Sequence, residues 1–151
     1  MNDEKNEVVL SLRQVVAGYA VYWHKLAVDS TIFIVTGSIA LAGFGLTKEN
    51  ATLGMLVTLS FLVALLSWSG AYLVYLIRAK TRDQQRILLK LDNINQLFEP
   101  GVYGEGESLY PIEWKNTASD KSSDPVFRFC LGLLTVLPLP LTLAIFATRF
   151  H

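Results

Sequence analysis

Three stretches of this sequence are almost free of charge: residues 30–47, 51–77 and 126–148, the last carrying only Arg128. A backbone in lipid must satisfy its hydrogen bonds within itself, and about 20 helical residues at 1.5 Å each cross a hydrocarbon core of about 30 Å. The three stretches therefore read as transmembrane helices, and the chain as an all-α membrane protein. Composition alone hides this, because 52% hydrophobic and 17% charged residues would also suit a soluble protein. The distribution decides. Between residues 30 and 77 the only charges are Lys48 and Glu49, whereas 78–125 holds most of the acids and bases, so the net charge of zero averages two unlike regions. The one cysteine, Cys130, lies inside the third apolar stretch and supports neither an intrachain disulfide nor a thiolate metal site.

Four segments follow: a cytoplasmic amphipathic helix at 1–29, a transmembrane hairpin at 30–77, a cytoplasmic helix plus loop at 78–125, and a third transmembrane helix at 126–151. In the first, Val8, Leu12, Val15, Tyr19, Tyr22 and Leu26 alternate steps of four and three, a heptad-like seam flanked by Val9, Val16 and Trp23. No proline parts it from the first span. The spans 30–47 and 51–77 are joined by so short a turn, at Lys48, Glu49 and Asn50, that they must lie side by side and antiparallel.

Beyond the second span, Ile87, Leu91, Ile94 and Phe98 mark one face of a helix predicted over 78–98 and ending at Glu99-Pro100-Gly101. The two helical extensions match in length, so the hairpin is expected to project into the cytoplasm as a stalk; a first helix lying flat on the bilayer is the competing geometry. Pro138 and Pro140 should kink the third span. Lysine and arginine bias loops toward the cytoplasm. Lys5, Arg13, Lys25, Arg78, Lys80, Arg82, Arg86, Lys90, Lys115 and Lys121, with Arg128 at the edge, fall on one side, and Lys48 and Arg149 on the other. This predicts a multi-pass inner-membrane protein with its N-terminus cytoplasmic and its C-terminus outside.

A catalytic reading finds little to build on. His24 and His151 lack second ligands at metal-binding spacing, and no zinc-protease, Walker A or dinucleotide-binding pattern occurs. We expect no enzyme activity, no metal and no cofactor. The informative polar residues lie in and beside the membrane. Asp29 opens the first span, and Thr36, Ala40, Gly43 and Thr47 continue its helical face as a small, polar stripe that could pack helices or line a pore. Ser60, Ala64, Ser67 and Ala71 form a similar stripe on the second span. Arg128 lies at about the depth of Asp29 and either pairs with it or reaches for lipid phosphates. Arg78, Arg82, Arg86 and Lys90 recur every four residues as a basic stripe suited to phosphates of lipids or of a nucleotide, with Tyr103, Tyr110 and Trp114 as candidate stacking surfaces. Positive-inside bias alone would also produce such a stripe.

Three spans cannot enclose an aqueous path within one chain, so conduction requires a homo-oligomer. The expectation is a small homo-oligomeric membrane effector whose hairpin lines an ion channel opened by a cytoplasmic signal. The alternative is a non-conducting anchor that recruits a cytoplasmic partner protein. The amphipathic helix entering a closely spaced transmembrane pair, followed by Arg78-Ala79-Lys80-Thr81-Arg82 and a cytoplasmic helix, resembles the short membrane effectors of bacterial phage defence, SLATT-like and Hailong-type effectors. The resemblance covers roughly residues 8–98 and is architectural. It implies a channel gated by a nucleotide or oligonucleotide that depolarises the host membrane during infection. The third, proline-broken span departs from the two-span pattern.

Overall fold

In a computed structural model, residues 2–47, 51–99 and 124–147 are described, with α1 side chains from Glu7 onward. Lys48, Glu49, Asn50 and the loop residues 100–123 lie outside that set, as do Arg149 and His151. The fold is all-helical: α1 spans Asn2–Thr47, α2 Leu53–Ile94, α3 Pro125–Val136 and α4 Pro138–Ala147. Helices α1 and α2 form a hairpin-like pair. Three stretches are long and apolar enough to cross a membrane, within Glu7–Thr47, Leu53–Ile94 and Pro125–Ala147. At 1.5 Å per residue α1 is about 70 Å long, more than twice what a bilayer core needs. The chain divides into two compact units, one of Met1–Lys25 with Arg78–Asp124, the other of Leu26–Ile77 with Pro125–His151.

The first unit is the polar one. Val16, Thr81, Leu91, Leu97 and Phe98 are buried in it. The heptad seam is not: Val8, Leu12, Val15, Tyr19 and Tyr22 are all exposed, while the flanking Val9 and Trp23 are half-buried and Val16 is buried. The face predicted from Ile87, Leu91, Ile94 and Phe98 is likewise divided. Leu91 and Phe98 are buried, and Ile87 and Ile94 are exposed. Helix α2 also stops at Ile94, ahead of the predicted end at Glu99-Pro100-Gly101. Gln96 adopts the left-handed conformation, with φ 56°. The Leu97 N–H donates to the Asp92 carbonyl and the Gln96 N–H to the Asn93 carbonyl, each at 3.1 Å. These two bonds make a Schellman cap, which satisfies the last carbonyls and turns Leu97 and Phe98 back into the unit.

The second unit is the membrane one. Thr52 caps α2, its Oγ1 accepting from the Met55 N–H at 3.3 Å and its carbonyl from the Leu56 N–H at 3.1 Å. Ala42, Leu56, Leu59, Val63 and Ile145 form the buried cluster in which α1, α2 and α4 meet. Ser38 and Ser67 are fully buried and share a hydrogen bond, Oγ to Oγ at 3.3 Å. Where Gly70 meets Ile34 the helices approach closely, since a Cβ on Gly70 would fall 2.3 Å from Ile34 Cδ1 and 3.1 Å from its Cγ2. In the third span the helix breaks between α3 and α4, at Leu137. Pro138 and Pro140 have no N–H, so the carbonyls of Leu134 and Val136 lose their helical donors. The Leu137 N–H still donates to Leu133 O at 2.8 Å, and the ladder resumes through a stretched 3.5 Å bond from the Leu141 N–H to Leu137 O.

Candidate functional site

Helix pairing sets what each polar side chain can do. In the polar unit α1 turns Arg13 and His24 inward as interruptions of an otherwise apolar face. The Arg13 Nε–H donates to Asp92 Oδ1 at 2.6 Å, and both side chains are largely shielded from water. An ion pair in such a setting gains more from hydrogen-bond geometry than an exposed one, and breaking it leaves a shielded charge.

His24 engages acceptors through both ring nitrogens. Nδ1 lies 3.0 Å from the Ala20 carbonyl and Nε2 2.5 Å from Asp124 Oδ2. A carbonyl only accepts, so Nδ1 carries its proton and donates. Asp124 immediately precedes α3, where Pro125 occupies the first helical position and needs no N–H partner. His24 thus anchors the residue that leads into the third span.

Sequence reasoning gave His24 no ligand role and left Asp92 and Asp124 unassigned. The partners are 79 and 100 residues apart. The available signal was the intrusion of a polar residue on an apolar helical face.

The basic stripe grades from half-buried Arg78 and Arg82 to exposed Arg86 and Lys90. Arg82 and Arg86 each engage another group within the protein. Tyr103, Tyr110 and Trp114, the stacking candidates, lie outside the described residues.

In the membrane unit the two small-residue stripes have different fates. Ser60 and Ser67 are buried and Ala64 and Ala71 half-buried, so the α2 stripe is a packing face. Ser60 Oγ has no hydrogen-bond partner, alone among the buried side-chain polar atoms described. The α1 stripe faces away: Asp29, Thr36, Ala40 and Thr47 are exposed, and Gly43 is half-buried with open space where a Cβ would stand. The Thr47 hydroxyl is satisfied locally, donating to the Phe44 carbonyl at 3.2 Å. Beside this stripe an apolar groove of about 230 Å³ runs between α1 and α3, with Thr31, Val35 and Thr36 on one wall and Phe129, Cys130 and Leu133 on the other. Thr31 Oγ1 donates to the Ala27 carbonyl at 2.8 Å, which removes one of the two hydroxyls on that wall from use. Arg128 is exposed on α3.

Among the described residues no group of three or more His, Cys, Asp or Glu side chains could hold a metal ion. Compared with known proteins, the chain matches no family model, no curated protein and no solved structure.

Proposed function

We propose that the chain is the subunit of a homo-oligomeric gated ion channel of the cell inner membrane, with its N-terminus cytoplasmic and its C-terminus outside. The observation that carries this reading is the outward polar stripe of α1. A carboxylate and a threonine hydroxyl exposed on a membrane-spanning helix are costly against lipid and well placed against water or another protein wall. Asp29, Thr36, Ala40, Gly43 and Thr47 would then contact the permeation path. Arg78, Arg82, Arg86 and Lys90 would receive an anionic cytoplasmic signal, a nucleotide or oligonucleotide, with Tyr103, Tyr110 and Trp114 stacking on its bases. Opening would depolarise the cell, the outcome expected of an effector in bacterial antiviral defence.

The test is membrane potential in cells expressing the chain, with and without cyclic dinucleotides and short oligonucleotides. The proposal expects depolarisation that Asp29→Asn reduces at least tenfold at matched protein levels. Unchanged potential under every condition, or depolarisation indifferent to Asp29→Asn, Thr36→Val and Gly43→Leu, would sink it. The exposed seam of α1 supports a second reading, a non-conducting anchor for a cytoplasmic protein. That reading expects a stoichiometric heterocomplex and no ion flux.

A further inference from the structure

Counted along the sequence, the heptad positions of the α1 seam run on through the positions of its small, polar stripe. From Val8, steps of seven lead to Val15, Tyr22, Asp29, Thr36 and Gly43; from Leu12 they lead to Tyr19, Leu26, Phe33, Ala40 and Thr47. In the polar unit the five seam side chains from Val8 to Tyr22 are 46 to 64% exposed. In the membrane unit Phe33 is 77% exposed, Asp29, Thr36, Ala40 and Thr47 are exposed, and Leu26 and Gly43 are half-buried. None of the twelve belongs to the face α1 buries within its own chain. That face keeps a different step, eleven residues from Val16 to Ala27 to Ser38 and from Thr31 to Ala42, all buried. A straight helix drifts about 20° per heptad, so the apolar seven-residue step kept from Val8 to Leu26 is the spacing of a supercoiled seam rather than of one packed face.

We infer that this frame is the interface with a second copy of the chain, α1 against α1, parallel and in register. The inference rests on the homo-oligomer in the proposed function and names its contact surface. Copies inserted in one membrane with the same orientation present α1 in the same direction and at the same depth. A heptad seam therefore meets its own counterpart without any shift. The area suffices: the exposed parts of Val8, Leu12, Val15, Tyr19, Tyr22 and Phe33 amount to roughly 600 Å² per copy, or on the order of 1,200 Å² for a pair, the lower end of stable interfaces. The frame holds one charged residue, Asp29. Its carboxylate meets those of neighbouring copies in a single layer, the arrangement by which rings of acids select cations. No single chain contains that ring.

Disulfide scanning of the full-length chain in membranes, in a Cys130→Ala background, tests the inference. Val15→Cys, Tyr22→Cys, Thr36→Cys and Gly43→Cys lie in the frame. Leu10→Cys, Val21→Cys, Ile32→Cys and Ile39→Cys are exposed and lie out of it. Mild oxidation should yield covalent dimers at the four frame positions at least tenfold above the four controls. Equal yields at all eight, yields higher at the controls, or no dimer at any frame position would overturn it. Particle mass in detergent of Val15→Glu and Tyr22→Glu gives a second readout, with loss of the oligomer expected and an unchanged mass contrary. Frame-specific cross-links in a chain that never depolarises a cell would fell the channel reading and leave the interface standing.

Discussion

At the scale of single residues, the chain's polar side chains divide by what a helix neighbour demands of them. Arg13 and His24 are spent on Asp92 and Asp124, and Ser38 on Ser67. None of these pairs was legible in the sequence, since each depends on which faces of distant helices meet. Gly70 is a close-approach position of the same kind. With Ile34 Cδ1 2.3 Å and Cγ2 3.1 Å from where its Cβ would stand, Gly70→Val should lower stability by roughly 1–3 kcal/mol. Ile34→Ala should recover part of that loss in the double variant, read by thermal unfolding in detergent. Gly132→Ala, with nothing within 4 Å of the added Cβ, serves as the neutral control. Equal effects at Gly70 and Gly132 would refute the packing.

At the scale of elements, apolar runs announced the helices and backbone chemistry decided their ends. The break at Leu137 was legible because Pro138 and Pro140 remove donors whatever surrounds them. The end of α2 was not, because the predicted stop relied on Pro100 and Gly101 while the chain turns earlier through Gln96. A left-handed glutamine costs roughly 1–2 kcal/mol per residue relative to an unstrained one, and glycine escapes most of that. Gln96→Gly should therefore raise the unfolding midpoint, by about 1 kcal/mol of added stability, and Gln96→Val should lower it. A Gln96→Gly variant less stable than its parent would show that the cap is not what ends the helix. The seam of α1 was legible as a spacing, but which of its two faces would pack within the chain was not. Val9, Val16 and Trp23 flank the seam closely enough for either to serve, and the pairing with α2 chose the flank.

At the scale of the whole molecule, a membrane protein of three spans emerges with one α1 face committed to its own chain and another left outward. Its outward positions carry large apolar side chains in the polar unit and, apart from Leu26 and Phe33, small or polar ones in the membrane unit. The proposed self-association through α1 would account for both, covering the apolar part and gathering the polar part around Asp29. The three spans follow from composition along the chain. The proposed function does not, because it would reside in copies meeting rather than in any motif one copy displays. The decisive measurement is planar-bilayer recording from the purified chain. The account predicts discrete, cation-selective openings whose unitary conductance falls several-fold in Asp29→Asn. Bilayers that stay electrically silent with oligomeric protein inserted, or openings unaltered by Asp29→Asn, would contradict it.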